Sequence, residues 1–212
     1  MTVASQEGAR RPYRSTRRQQ QAAETRALVL AAATSLFADR GWSATGMRGI
    51  AEEAGVSVET VYANFGSKTE LLLAAIDVGV VGDTEPIPLS ERPEFAALGH
   101  GSITDRIEAA ARMLTEINRR TWGLRRTLTE AAGGEPQLAA KLHELERRRR
   151  DNIRQGVEMV VGRPVEDDVL DGLWVVMGAD VFCLLTQVGG RPADDYERWL
   201  ATTIRRLLSR GT

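Results

Sequence analysis

Four hydrogen-bonding side chains lie within residues 58–64 of this 212-residue chain. Val58, Val61 and Phe65 recur there at helical spacing, which predicts a short helix with one apolar side. Carboxylate, hydroxyl and amide groups can bond the edges of base pairs, and an α-helix fits the major groove of B-form DNA. The residue types therefore favour a DNA-reading helix, whose outer side would carry Glu59, Thr60, Tyr62, Ala63 and Asn64.

A second short helix is predicted immediately before this one. Met47, Ile50 and Ala51 give it an apolar side, and Thr45 is a candidate N-cap. Gly55 ends this helix, and Ser57 follows as the candidate N-cap of the next one. Two short helices joined by a tight glycine turn are typical of a DNA-binding helix-turn-helix. The same pattern also occurs in helical proteins that bind no DNA.

Apolar residues at helical spacing continue along the chain without the alternation of strands, so we predict an all-α fold. One helix ends at Gly41, and the capping box from Ser67 to Glu70 begins another. Further helices are predicted over 103–118, 122–132, 136–161 and 165–188, with a last one after Pro192. We expect a basic flexible arm over 1–21, a helix-turn-helix domain over 22–80, a linker or irregular loop over 81–101, and a second helical domain over 102–212.

The first twenty residues are basic. They hold five arginines against the single acid Glu7, although the whole chain has a net charge of only −1. Such an arm is either a solvated tail or a flexible segment that meets phosphates or a minor groove. The salt dependence of DNA binding would distinguish the two.

Composition argues against several other classes of protein. Cys183 is alone, so no internal disulfide can form and a reducing compartment is natural. No signal peptide or membrane span is recognisable, which predicts a cytoplasmic protein. His100 and His143 are isolated from other ligand types, so we expect no metal site. No nucleophile motif or phosphate loop is present, so we expect neither an enzyme nor a cofactor.

Three linked segments resemble the DNA-binding domain of the TetR family of transcriptional regulators, of the TetR/AcrR type. They are LFADRGW (36–42), MRGIAEEAGVS (47–57) and VYANFGSKTELLLAAI (61–76). The resemblance implies a homodimer that binds an inverted-repeat DNA operator and is released by a small-molecule effector held in the domain at 102–212. It favours a repressor, because family members mostly block promoters. The alternative is a helix-turn-helix protein that acts through protein partners or binds DNA without a ligand.

The resemblance also implies roles for individual residues of the helix-turn-helix. Thr45, Tyr62 and Lys68 would contact phosphates, and Arg48 could join them. The bases would be read by Val58, Glu59, Thr60, Ala63 and Asn64. Ala63 stands where the family often has a larger aromatic residue, and Gly46 where it often has a hydroxyl residue. Each departure removes a potential DNA contact.

The effector and dimerisation sites are predicted from apolar patterns in the second domain. Pocket candidates, each of which could equally be plain core, are Met113, Ile117, Trp122, Leu128, Trp174, Met177 and Phe182. The last two helices carry apolar stripes that would either pair across a two-fold axis or close the protomer's own core. The residues expected at the dimer interface are Leu170, Trp174, Val181, Leu185, Trp199, Ile204 and Leu207.

Two charged features of this domain have more than one reading. Asp180 lies within an apolar helix and could cap a local bond, pair across the dimer or anchor a ligand; we favour a structural pair. The run of arginines at 147–150 looks like a DNA patch, but Glu144 and Glu146 precede Arg148 and Arg150 by four residues. We therefore predict an ion-paired, solvated helix face.

Overall fold

The computed structural model describes residues 11–85 and 87–210, and the described part of the chain contains helices and turns but no strand. The all-α prediction is confirmed. The helices are α1 (Arg11–Ala44), α2 (Met47–Ala54), α3 (Val58–Phe65), α4 (Lys68–Val81), α5 (Pro93–Ala96), α6 (Ile103–Ala132), α7 (Pro136–Val161), α8 (Asp167–Val176), α9 (Ala179–Cys183) and α10 (Ala193–Arg210). Two 3₁₀ turns, Leu89–Glu91 and Ala97–Gly99, flank α5, and a π-helical turn, Leu184–Val188, follows α9.

Helices α1 to α4 form an N-terminal head around one apolar core. Gly41, at φ 72°, interrupts the end of α1 as predicted, so the chain turns before α2. Phe37, Ile50, Val61 and Leu72 are all buried in this core. The core does not stop at the head, because Leu124, Leu128, Ala131 and Leu138 of α6 and α7 belong to the same cluster. The head is therefore packed firmly on the helices that follow it.

Helix α6 is the central element of the larger body, since it contacts α1, α4, α7, α9 and α10. A second core lies between α6, α7, α8 and α10, with Tyr196, Leu170 and Leu173 fully buried in it. Gly123 of α6 allows α1 to approach closely. A Cβ placed there would lie 2.8 Å from the Cβ of Ala38, closer than real side chains come.

The predicted flexible arm is corrected over most of its length. Helix α1 begins at Arg11 rather than after residue 21, so residues 11–21 are helical. The run from 14 to 24 contains no glycine or proline and is rich in arginine, glutamine and alanine, which are good helix formers. Residues 1–10 of the predicted arm lie outside the described residues.

Two helix boundaries in the body also differ from the prediction. The helices expected at 103–118 and 122–132 are one continuous helix, α6, because nothing between them breaks a helix. The helix expected over 165–188 is instead divided at Met177 and Gly178, where the backbone leaves the helical region. By length and composition no single described helix could cross a membrane, whereas the bent pair Asp167–Val176 and Ala179–Val188, at 42°, passes that test.

The described residues of the expected linker, 81–85 and 87–101, are a folded part of the body. Phe95 and Leu98 are buried and belong to the body's core cluster. Arg92 donates two hydrogen bonds to the carboxylate of Asp83, at 2.6 and 2.8 Å, and closes this segment on itself. The proline-rich composition suggested a loop, but the two apolar side chains have a core surface within reach.

Candidate nucleic-acid interface and internal cavity

The glycine turn between α2 and α3 has the geometry expected of a helix-turn-helix. Gly55 adopts the left-handed conformation, φ 67° and ψ 31°, which ends α2. The hydroxyl of Ser57 accepts a hydrogen bond from the backbone N–H of Thr60 at 3.2 Å and caps α3, as predicted. Val61 and Phe65 point into the head core. The turn and the cap together fix which side of α3 faces outward.

The outward side of α3 presents most of the predicted DNA-contacting residues. Glu59, Tyr62 and Ala63 are exposed, whereas Val58, Thr60 and Asn64 are partly buried. Tyr62 has 51% of its surface exposed. The amide of Asn64 donates to the carbonyl of Thr60 at 2.8 Å. Arg48, on α2, is exposed as well.

Thr45 does not occupy the position predicted for it. The N-cap of α2 is Gly46, without a side-chain bond, and Thr45 is only 3% exposed. Its hydroxyl donates to the carbonyl of Leu36 at 3.0 Å. The phosphate contact predicted for Thr45 is therefore corrected: its hydroxyl makes a buried hydrogen bond that joins α1 to the turn before α2.

We expect Thr45→Val to lower the stability of the folded chain without weakening DNA binding. The substitution removes one buried hydrogen bond, which contributes about 0.5–1.5 kcal/mol. Chemical denaturation would measure the loss, and fluorescence anisotropy of labelled DNA would measure the affinity. Thr129→Val, at an exposed position of α6, is the matched control. A variant of unchanged stability but reduced DNA affinity would contradict this assignment.

Lys68 faces inward in part. Its ammonium group donates to the carbonyl of Trp42 at 2.6 Å and lies 3.9 Å from the centre of the Trp42 ring. Burial lowers the pKa of Lys68, while the charge of Glu135 acts in the opposite direction. One of its three N–H donors is thus used to join the end of α1 to the start of α4. Its contact with a DNA phosphate stays a prediction.

Two contacts that position the head were not predicted from the sequence. Arg26 of α1 donates to the carbonyl of Asn64 at 2.9 Å and lies 4.2 Å above the ring of Phe65, so it holds the C-terminal end of α3. The indole N–H of Trp42 donates to Glu135, before α7, at 2.7 Å. Both contacts join residues far apart in the chain, so no local pattern signals them.

The body contains a cavity of about 650 Å³ between α4, the segment at 83–98, α6 and α7. Three predicted pocket residues, Met113, Ile117 and Met177, line it. The other four do not, and the prediction is corrected for them. Leu128 belongs to the head core, and Phe182 packs edge-on to Tyr196 at 5.0 Å between ring centroids. Trp122 and Trp174 lie instead beside arginines, Arg126 and Arg149, each 5.3 Å from the ring centre.

The polar groups at one end of the cavity were also missed. Arg125 of α6 and Arg149 of α7 line it, and both contact Glu146. Burial, with a smaller contribution from the charge of Arg149, lowers the pKa of Arg125 to about 10. Burial also lowers the pKa of Arg149 to about 10, so both side chains stay charged at neutral pH. The charge of Asp180 opposes both shifts, but Asp180 forms no ion pair among the described residues of this chain, and its pairing across a dimer stays a prediction.

Arg148, Arg149 and Arg150 of the run at 147–150 form ion pairs as predicted, although Arg148 and Arg150 use other partners than the predicted ones. Arg148 pairs with Asp77 of α4 at 3.4 Å, and Arg150 pairs with Asp171 of α8 at 2.6 Å. The predicted partners one helical turn earlier are not used, because α4 and α8 bring carboxylates to this face of α7. These pairs tie α7 to its neighbours.

The residues expected at a dimer interface divide into two groups. Leu170 and Ile204 are buried inside the protomer, at 0% and 1% exposure, and are corrected to core residues. The other five are partly buried: Trp174, Val181, Leu185, Trp199 and Leu207. Beside them Val175, Leu184 and Val188 are exposed. An apolar patch therefore remains on the outside of α8, the π-helical turn and α10.

Comparison with known proteins agrees with this geometry. Residues 29–75 match the sequence model of the family described as bacterial regulatory proteins, tetR family. Over 76 residues the chain is 43% identical to the HTH-type transcriptional activator FasR of Mycolicibacterium smegmatis (strain ATCC 700084 / mc(2)155). That alignment covers 35% of this chain and 35% of the activator, so it spans about a third of that relative's length.

Solved structures resemble nearly the whole chain. A TetR-family transcriptional regulator from Rhodococcus sp. superposes with a TM-score of 0.65 at 18% identity, over 87% of this chain and 98% of that one. A transcriptional regulator from Rhodococcus sp. Rha1 gives a TM-score of 0.62 at 20% identity, over 87% and 96%. At these identities the likeness establishes the fold. It extends through the body as well as the head.

Proposed function

We infer that the chain belongs to the TetR family, whose members are transcriptional regulators and not enzymes. We propose that it binds an inverted-repeat operator as a homodimer and releases it when a small molecule fills the cavity. The observation that carries the proposal is the outward side of α3, where Glu59, Tyr62 and Ala63 are exposed on a short capped helix. Such a helix can enter the major groove while its neighbours contact the backbone.

A second copy of the chain is proposed because one reading helix makes few contacts. The exposed side chains of Val175, Leu184 and Val188 are unusual for a surface facing water, and a two-fold partner would cover them. Half-sites in such dimers lie about 34–36 Å apart or a multiple of it. The affinity for DNA then depends on the separation of the two heads.

Helix α4 is the element through which a ligand would change that separation. Its first half, with Leu71 and Leu72, is packed in the head core. Its second half lines the cavity at Ile76 and Val80. Because one rigid helix belongs to both regions, a ligand that displaces the second half tilts the head. A coupling of about 2–3 kcal/mol would weaken DNA binding roughly 30- to 150-fold.

The proposal is tested by fluorescence anisotropy with the DNA that flanks the protein's own gene, at two salt concentrations. We expect tight binding to an inverted repeat, and affinity that falls as salt rises because phosphate contacts release counterions. DNA that keeps only one half-site is the matched control and should bind far more weakly. Equal, weak binding to both DNAs would contradict the operator mechanism. Sedimentation of the free protein would show the dimer.

Repression is our proposed direction of control, as the family resemblance favours. The relative FasR is named an activator, so a similar head serves activation in that protein. A reporter gene behind the operator would decide the matter for this chain. Expression that rises when the regulator is deleted indicates repression, and expression that falls indicates activation.

A further inference from the structure

Two buried guanidinium groups form one end of the cavity wall. Arg125 and Arg149 have side chains only 15% and 24% exposed, and both line the cavity. They share one carboxylate, since Arg125 contacts one oxygen of Glu146 and Arg149 donates to the other at 2.9 Å. Asp180 acts on both only through its charge at longer range. The two guanidinium groups of Arg125 and Arg149 thus contact one carboxylate, that of Glu146.

The hydrogen-bond donors of Arg125 are mostly unused. A guanidinium carries five N–H donors, and Arg125 donates one described hydrogen bond, to Glu146. Arg149 donates a second one, to the carbonyl of Trp174 at 3.0 Å. Arg125 therefore offers the cavity a charged group with spare N–H donors.

The remainder of the wall is mostly aliphatic. Its other charged groups are Asp77, Asp83, Glu85 and Arg148, of which Asp77 pairs with Arg148 and Asp83 with Arg92. Leu114, Ile117, Ile153, Val157 and Val160 line it from α6 and α7, and α4 and α10 add further branched side chains. A volume of about 650 Å³ lies within the range of roughly 300–1,000 Å³ that small-molecule sites have. A long apolar body would replace water along these walls. The cavity thus combines a mostly apolar wall with two adjacent arginines that share one carboxylate.

We propose that the cavity takes an anionic amphiphile, whose oxyanion head bonds Arg125 beside Arg149 and whose aliphatic body lies along α6 and α7. A carboxylate matches the planar fork of a guanidinium, and its hydrogen bonds to that group are charge-assisted. A hydroxyl head makes weaker bonds, and an ammonium head meets like charge. The role of this ligand as an effector rests on the proposed function, whereas its binding to the cavity does not.

The test compares three probes that differ only in the head group: dodecanoate, dodecanol and dodecylammonium. Calorimetry below the micelle concentration would measure their binding to the full chain. We expect dodecanoate to bind at least about tenfold more tightly than dodecanol, with dodecylammonium the weakest. Equal affinity for dodecanoate and dodecanol, or no binding of any probe, would overturn the proposal.

Arg125→Met separates the head-group contact from the apolar contacts. It keeps the unbranched stem, and Glu146 keeps Arg149 as its partner. We expect it to lose about tenfold or more of the affinity for dodecanoate while dodecanol binds as before. Arg119→Met, at an exposed position of the same helix, is the control and should match the wild type. If Arg125→Met still prefers dodecanoate, the proposal is overturned. If Arg125→Met does not fold, the order of affinity of the three probes for the wild type decides the proposal.

The failure of this inference can be told apart from the failure of the proposed function. Operator binding is measured on the ligand-free protein, so it does not depend on which head group the cavity prefers. Dodecanoate that binds without releasing DNA would contradict the effector role but support the ligand class. Release of DNA by dodecanol as readily as by dodecanoate would contradict the ligand class alone.

Discussion

Replacing Tyr62 by alanine is expected to reduce operator affinity by about 100- to 10,000-fold. Its side chain is half exposed on α3 and makes no described hydrogen bond within the chain, so its phenol is available to a phosphate. A hydrogen bond to a charged group contributes about 1.5–3 kcal/mol. A dimer loses two of them, and each 1.4 kcal/mol is tenfold. Fluorescence anisotropy with the operator would measure the change.

Two further readouts make this result specific. The melting temperature should stay the same, because an exposed side chain away from the core has little effect on stability. The slope of affinity against salt should also stay the same, since tyrosine carries no charge to release counterions. Ile103→Ala is the control, because Ile103 is 49% exposed but lies at the start of α6. If Tyr62→Ala binds the operator with full affinity, Tyr62 does not contribute to the DNA interface.

The second large effect is expected at the contact between head and body. In Gly123→Leu the new Cβ would lie 2.8 Å from the Cβ and 3.1 Å from the Cα of Ala38, so α1 and α6 must separate. Overpacking of this kind costs typically about 1–3 kcal/mol, and a backbone atom that cannot rotate away favours the upper end. About 3 kcal/mol corresponds to a melting temperature lower by roughly 6–12 °C in a chain of this size. Calorimetry would measure it.

The control for this substitution is Gly49→Ala. Nothing lies within 4 Å of a Cβ placed on Gly49, which is in the middle of α2. Replacing a helical glycine there should stabilise the chain, by up to about 1 kcal/mol. A loss of stability in Gly123→Leu together with a gain in Gly49→Ala would show that the close approach of α1 decides the outcome at Gly123. Loss of stability at both would point to a general intolerance of helix changes.

Much of the candidate DNA-binding surface was predictable, because the signals that set it are local. Apolar spacing placed α2 and α3, and the cap at Ser57 follows from the residue types alone. The left-handed turn at Gly55 likewise needs only the preference of glycine for positive φ. Once α3 has one apolar side, its opposite side must face outward. The exposure of Glu59 and Tyr62 follows directly.

Errors occurred where a side chain has a partner far away in the chain. Thr45 has the right residue type for a cap or a phosphate contact, but the carbonyl of Leu36 lies within reach and takes its hydroxyl. Lys68 also has a partner that its residue type did not indicate, the carbonyl of Trp42, while its contact with a phosphate stays a prediction. Residue type shows what a group can bond, whereas packing decides which candidate partner is near.

The amino-acid sequence by itself determined the helical fold, the helix-turn-helix and the outward side of α3, because each depends on residues within a few turns of one another. Only the tertiary structure decided that Leu170 and Ile204 belong to the protomer's core while Leu184 is exposed. It also brought Arg125 and Arg149 to one end of a cavity. An apolar stripe records that a face is buried but not against what, since burial lowers the free energy equally beside any apolar neighbour.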